Sequence, residues 1–432
     1  MKKIRNRALL YKNKLRGDAL SIIEAGLSAI DTKEAIKNNV SLRDGTLCIK
    51  DKEFPLADVK RIFVVGVGKC SVTAAAQLER VLGNRITAGM VIDVRDPAVG
   101  ELSKIKAYKG THPMPTEANV DAAKALVDLL SKSEKGDLVL CIISGGGSTL
   151  LCLPEEGTRC IEEEMILKEL FRKGATIQEI NTIRKHMSLV RGGFLAKHAY
   201  PAQTVSLIFS DVPGNDISYI ASGPTVKDTT TIADADRILA KFSILMTCGL
   251  DHCGLIETPK EDKYFEAVTN ILFISNVVAL EAMQEEASKL GYHSTIVNSK
   301  IIGEAREVGK DISLEISRAP SKTALLYGGE TTVTMKGKGM GGRNQELVLG
   351  ALSSVDEDTL VASTASDGRD NTDHAGALCD ILTAQKVKQQ GIDIREYLDK
   401  NNSFGFFEKI GDFISTGNTG SNVSDIIIAL KQ

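Results

Sequence analysis

The 432-residue chain lacks an excess of either charge: 53 Lys and Arg stand against 56 Asp and Glu, a formal net charge of −3. That balance excludes a globally basic nucleic-acid binder, whose footprint is a strong positive field. Proline is scarce, at 10, and with 43% apolar residues the chain has neither the low hydrophobicity nor the charge excess of a disordered one. No apolar run approaches membrane-spanning length. The basic stretch from Lys2 to Arg16 has no continuous apolar core and no small-residue cleavage site, so it reads as an amphipathic helix over residues 4–30 and not as a secretory signal. The eight cysteines form no C-x-x-C pair, and several sit in apolar runs, which points to reduced, buried thiols and away from a zinc site or a disulfide framework. A cytoplasmic location is the expectation. No H-E-x-x-H spacing links the six histidines, and only His112, after an expected strand, is placed to line a site.

A chain of this length exceeds one ordinary core, which stops growing near about 250–300 residues, so two domains are expected. Short apolar runs at residues 61–65, 89–93, 138–143 and 204–209 end in or just before Gly, Asp or Ser and alternate with helical patterns at 71–82, 117–130, 162–171 and 177–199. This is the pattern of a doubly wound, Rossmann-like parallel sheet covered by helices. Periodicity fades after Phe242, and the boundary is placed there, giving an N-terminal domain over 1–245 and a C-terminal α/β domain over 246–432. Strands are expected again at 271–274, 294–297, 323–327, 331–335, 360–364 and 425–428, with helices at 277–290, 304–318, 345–352 and 375–390. The runs on either side of Gly328 and Gly329 are too close for a crossover helix, so a hairpin or bent strand and a mixed sheet follow.

Glycine, at 38, concentrates in short loops after these strands. Gly66-Val67-Gly68-Lys69 leads into a helix, where backbone amides and a lysine favour an anion; a tight turn with a solvated lysine is the plain alternative. The loop is no Walker A motif, with Phe63 at the first glycine position and Cys70 in place of Ser or Thr, and no dinucleotide fingerprint, with Ser71 at the third glycine position. Ser144-Gly145-Gly146-Gly147-Ser148 closes a central strand, where ligands bind in open α/β sheets, and three glycines let the backbone wrap a phosphate. Asp211 stands at the tip of another strand, suited to a divalent cation or to a hydroxyl proton, while Asp216 fits an Asx turn equally well. In the second domain, the glycine-rich stretch from Gly328 through Glu330 to Arg343-Asn344 ends at a helix start, and an arginine there grips phosphate bidentately. Residues 366–373 pack Asp367, Asp370 and Asp373 into one loop without an EF-hand pattern.

Together these blocks resemble the class II glycerate 2-kinases, whose C-terminal part is called the MOFRL domain (here about 320–430) and whose members are often labelled hydroxypyruvate reductases. The resemblance rests on 65–69, Thr111-His112-Pro113, 143–151, 181–185 with Arg191-Gly192-Gly193, 210–225 and 328–346. It implies a two-domain α/β enzyme with an active cleft between the domains, using ATP and Mg²⁺ or another divalent cation to phosphorylate the 2-hydroxyl of D-glycerate. Lys69 and Arg343 match the family's catalytic lysine and arginine, both expected to stabilise transferring charge and not mainly to hold the fold. Asp211 joins them as base or metal ligand. Gly66, Gly68, Ser144, Gly145, Gly146, Gly147 and Ser148 would hold phosphate; Glu330, Asn344 and Asp367 would hold substrate. Two loops depart from the family pattern, at 367–373 and at Asn418. An NAD(P)H-dependent hydroxypyruvate reductase, a kinase of a related small hydroxy acid and a non-catalytic sensor are the alternatives. The partner implied is a small molecule, with no nucleic acid and no membrane; a homodimer is the one protein assembly the reading admits.

Overall fold

The computed structural model describes residues 2–212 and 214–432. Two compact units result: one comprises Ala35–Ser210 and Asn215–Phe273, the other Met1–Glu34, Asp211–Gly214 and Ile274–Gln432. Among the described residues, no helix is long and apolar enough to cross a membrane. Six of the eight cysteines are buried and none is cross-linked.

The first unit opens with a small antiparallel sheet, β1 (Val40–Arg43), β2 (Thr46–Ile49) and β3 (Lys52–Pro55). The sequence reading has no counterpart to it, because four-residue strands are too short to display a period. A six-stranded sheet follows, built from β4 (Ile62–Val67), β5 (Ile86–Asp93), β6 (Ile105–Lys109), β7 (Leu138–Ile143), β8 (Gln203–Phe209) and β9 (Val268–Ile274), in the order β6-β5-β4-β7-β8-β9. The pairings from β6 through β8 are parallel. β4 and β7 are buried at every residue, as expected of central parallel strands covered by helices on both faces. Successive strands step outward from β4 in one direction and from β7 in the other. The order therefore reverses between β4 and β7, and the loops at their carboxyl ends flank the switch point where ligands bind in such sheets.

The observed division differs from the expected one at 245/246. β9, assigned to the second domain by its position after the irregular stretch, is the edge strand of the first sheet, and helices Ile232–Lys241 and Ile244–Cys248 bury their apolar faces with Cys160–Arg172 and Ile177–His186. The helix expected over 177–199 is interrupted: it stops at His186 and resumes at Phe194–Ala199 after Gly192 and Gly193, both at positive φ.

The second unit carries β10 (His293–Ile301), β11 (Thr323–Gly329), β12 (Thr359–Ala365), β13 (Gly376–Asp380), β14 (Phe413–Ile414) and β15 (Asp425–Lys431), ordered β10-β11-β15-β12-β13-β14. β10 and β11 are parallel, but β15 inserts antiparallel between β11 and β12, so the sheet is mixed. The expected hairpin at Gly328–Gly329 does not form. β11 runs through Gly329, and Thr332 makes only an isolated parallel bridge to Glu304. Residues 375–390 are likewise not one helix: β13 comes first, and Asp380 caps a helix beginning at Ile381 by accepting from the Leu382 and Thr383 amides.

The N-terminus belongs to this second unit. Its main helix, Lys14–Ala29, is capped by the Asn13 side chain and lies so close to helix Asn276–Lys289 that a Cβ on Gly26 would stand 2.7 Å from Met283 Cγ. Arg16 is buried and forks between Asp380 (2.6 and 2.8 Å) and Asp412 (2.8 and 3.1 Å). A buried guanidinium needs such partners, and removing one commonly costs about 3–5 kcal/mol. Part of the basic charge at the N-terminus is thus internal to the fold.

Candidate active site

At the switch point of the first unit, the loop after β4 and the loop after β7 lie against each other. Gly68 has φ +118°, and a Cβ there would stand 2.1 Å from Ser144 Oγ and 2.5 Å from the Ser144 carbonyl, so only glycine permits the approach. The Lys69 amide donates to the Gly145 carbonyl (3.0 Å), and the Ser144 amide donates to the Val67 carbonyl (2.9 Å). Ser144 is buried, and its hydroxyl accepts from the Cys70 amide (3.4 Å). It ties the two loops together; it is not turned to solvent. Ser148 shares a hydrogen bond of 2.9 Å with Ser222.

The amides of Gly145 and Gly146 donate to no other group among the described residues. Gly146 is left-handed at φ +80°, and its α-carbon is flanked by Lys69 and His112: a Cβ there would lie 3.2 Å from Lys69 Cε and 3.3 Å from His112 Cδ2. Lys69 is exposed and has no ion-pair partner among the described residues. Desolvation and the charges of Lys69 and Arg184 lower the His112 pKa and so favour the neutral imidazole. The local field is therefore positive, with two free amides inside it, an arrangement that attracts an anion.

The start of the following helix is a different matter. Asp93, buried at the end of β5, accepts from the Val72 amide (3.0 Å) and from its own Val94 amide (2.7 Å). Burial raises its pKa despite these donors. The anion that helix Ser71–Leu82 attracts is the protein's own carboxylate, so what Gly66 and Gly68 contribute is close packing and not a bare helix terminus.

The second unit repeats the device. Asp370 accepts from the amides of Asn344 (3.1 Å) and Gln345 (2.8 Å) at the start of helix Arg343–Ala351, and from both their side-chain amides. A Cβ on Gly342 would strike its carboxylate at 2.1 Å. Asn344 is buried, bonded to Asp370 and to Ser363 (2.5 Å), and is thus built into the helix start. Arg343 is held by Asp425 through Nε (2.5 Å) and Nη2 (3.1 Å), with Glu330 3.3 Å from Nη2. Burial pushes the Asp425 carboxyl up to about 6, against the opposing pull of Arg343. Asp367 is partly buried and accepts from the Arg369 amide. Asp211 belongs to this unit, with its carbonyl accepting from the Ser424 hydroxyl (3.2 Å), beside the first residue of β15. Asp216 is exposed and accepts from the Ser218 amide, the Asx-turn arrangement. Pro213 lies outside the described residues.

Within the first unit the sequence-selected Lys69 and Gly145–Gly147 come together; within the second, Arg343 and Glu330 do. Sequence reasoning missed Asp93, Asp425 and Arg184. The first two showed only as strand ends, and the third only as part of the 181–185 block.

Two family models match: "Domain of unknown function (DUF4147)" over residues 18–249 and "MOFRL family" over residues 323–425. The chain is 36% identical to a glycerate 2-kinase of Pyrococcus horikoshii, over 96% of this chain and 97% of that protein, and 34% identical to a D-glycerate 2-kinase of Thermotoga maritima, over 95% and 97%. It is also 34% identical to a putative hydroxypyruvate reductase of Agrobacterium vitis, over 94% and 92%. A solved structure of a Thermotoga maritima glycerate kinase superimposes with a TM-score of 0.85 at 33% identity, over 96% of this chain and 99% of that one. With the loops at the switch point and the mixed sheet already assigned, these likenesses establish that the chain belongs to the class II glycerate kinase family, the two-part family of DUF4147 and MOFRL.

Proposed function

We propose that the protein transfers the γ-phosphoryl group of ATP to the 2-hydroxyl of D-glycerate, in the cytoplasm and with a divalent cation. The observation that carries this reading is the exposed Lys69 beside the free amides of Gly145 and Gly146, at the switch point of a chain sharing 36% identity with a glycerate 2-kinase. Phosphoryl transfer asks little covalent chemistry of a protein; it asks for fixed positive charge and donors around oxygens whose charge redistributes. Lys69 supplies the charge and the glycine amides supply the donors. Arg343 supplies a second cation, and its carboxylate partners Asp425 and Glu330 fix the plane of the guanidinium. Glu330 and Asp367 are suited to accept from the hydroxyls of the acceptor. Asn344 positions the start of the Arg343 helix.

No group of three or more His, Cys, Asp or Glu among the described residues could hold a metal ion. Magnesium at a kinase site usually takes one or two carboxylates and completes its shell with phosphate oxygens and water, and Asp211 fits that sparse donor set. The cation, when bound, neutralises phosphate charge.

The reductase reading gains no support from the geometry. The third glycine position of a dinucleotide loop is Ser71, and the nearby strand-end acid, Asp93, is spent on the Val72 amide and the Ser71 hydroxyl at the helix start. Phosphorus NMR of the product from D-glycerate, ATP and magnesium tests the proposal: 2-phosphoglycerate is expected. The 3-phospho isomer alone, or NADH oxidation with hydroxypyruvate and no ATP-dependent product, would overturn it.

A further inference from the structure

The kinase reading leaves one need unmet. Glycerate carries a carboxylate, which Glu330 and Asp367 repel, and Arg343 already faces two carboxylates. The first unit holds a cation in the opposite condition. Arg184, on helix Ile177–His186, is partly buried, yet its guanidinium makes no ion pair or hydrogen bond among the described residues. It lines a pocket of about 160 Å³ whose walls include Pro113, Met114, Leu167 and Phe171, with the hydroxyl residues Ser148 and Thr149 alongside.

The two acids in that pocket are engaged elsewhere. Glu163 is gripped by the buried Arg191 at 2.6 and 3.2 Å, and Glu164 pairs with Lys168. Burial lowers the Arg184 pKa, the Arg191 charge lowers it further, and Glu163 opposes them. A partly desolvated guanidinium without a counterion is costly, and that cost is relieved when a ligand brings the missing anion. Arginine presents a planar fork that matches a carboxylate bidentately, and apolar walls strengthen the pairing by excluding water.

Carboxylates and phosphates would both satisfy Arg184, and the donors already provided for phosphate elsewhere in the unit favour the carboxylate. A cavity of about 150 Å³ accommodates one benzene molecule. A pocket of about 160 Å³ has room for a three-carbon acid, and the nucleotide phosphates already have donors of their own in the Gly145 and Gly146 amides and Lys69.

Resting on the kinase reading, we infer that Arg184 is the acceptor-binding residue that receives the carboxylate of the hydroxy acid, in the pocket beside Ser148 and Thr149. The pocket then selects for a small hydroxy acid over an uncharged polyol, because an acceptor without a carboxylate would leave Arg184 unpaired.

The test is steady-state kinetics of the full chain with D-glycerate and ATP varied separately, for wild type, Arg184→Gln, Arg184→Lys and Arg184→Ala with added methylguanidinium. Arg184→Gln should raise the KM for D-glycerate by roughly tenfold to a hundredfold, the scale of a lost hydrogen bond to a charged group, while the KM for ATP stays within about twofold. Arg184→Lys should recover part of the loss, and methylguanidinium should restore Arg184→Ala in proportion to its concentration. A raised KM for ATP with that for glycerate unchanged would assign the guanidinium to nucleotide phosphate and overturn the inference. Both KM values unchanged, with a lowered melting temperature and no rescue, would assign it to the fold and overturn it equally. Should Arg184→Gln fail to fold, the lysine variant and the rescue carry the same decision. Inactivity of wild type toward D-glycerate would instead strike the kinase reading, so the two failures are distinguishable.

Discussion

The helices that begin at Ser71 and at Arg343 each seat a buried aspartate on their first amides, Asp93 in one case and Asp370 in the other, and burial raises both carboxyls. Their neighbouring cations are treated in opposite ways. Lys69 is exposed, without a carboxylate partner among the described residues, and shares its surroundings with His112 and Arg184, whereas Arg343 is held by Asp425 and faced by Glu330. The first region presents a positive charge that no carboxylate among the described residues opposes. The second is an internally neutralised charge whose orientation is fixed. Residues that look equivalent in the sequence, a cation beside glycines at a helix start, thus carry different shares of binding and folding.

The largest expected effect follows from the open side of the comparison. Lys69→Ala should lower kcat by about a hundredfold to a thousandfold, the usual loss for one positioned electrostatic donor. Steady-state assays with D-glycerate and ATP check it, and a loss under tenfold in a folded variant would reduce Lys69 to a solvated turn residue. Gly146→Val should come next, raising the KM for ATP by roughly tenfold, because a branched side chain at φ +80° both strains the loop and fills the space between Lys69 and His112. An unchanged KM for ATP would remove phosphate from the Gly145–Gly146 amides.

The closed side gives a smaller, pH-dependent signature. Asp425 ionises near 6 in the folded chain and near the ordinary 3.8 when unfolded, so the folded state holds the extra proton between those values. Wild-type stability from this group therefore rises as pH falls from about 7 to about 4, and is fully present below the unfolded value. Asp425→Asn removes the titration: relative to wild type, its melting temperature should decline steadily over that window. A pH-independent difference would mean that Asp425 titrates normally, with Arg343 just offsetting its burial.

Much of this was legible in the sequence. The buried runs at β4, β7 and β8, the helices at 71–82 and 117–130, and the glycine loops all announced themselves, because period and turn chemistry are local properties. What stayed hidden depends on distant partners. Arg16 is explained only by Asp380 and Asp412, and the second unit's claim on the N-terminus only by the packing of Gly26 against Met283. β13 is not legible as a strand in the sequence because Gly376–Asp380 is short and buried throughout, which erases alternation. The site showed the same divide. Lys69 and the Gly145–Gly147 loop followed from their place after strands, while Asp93, Asp425 and Arg184 acquire their meaning from burial and from which charges face them.

The contrast between an open and a closed cation is tested most directly by the apparent melting temperatures of Lys69→Ala and Arg343→Ala, measured side by side without ligands at pH 7.5. Arg343→Ala leaves Asp425 buried without its counterion, a change that commonly costs about 3–5 kcal/mol and corresponds to roughly 6 °C or more in a domain of this size. Lys69→Ala removes a charge that no carboxylate among the described residues opposes, so its melting temperature should equal or slightly exceed that of wild type. Equal melting temperatures for the two variants, or a lower one for Lys69→Ala, would contradict the account.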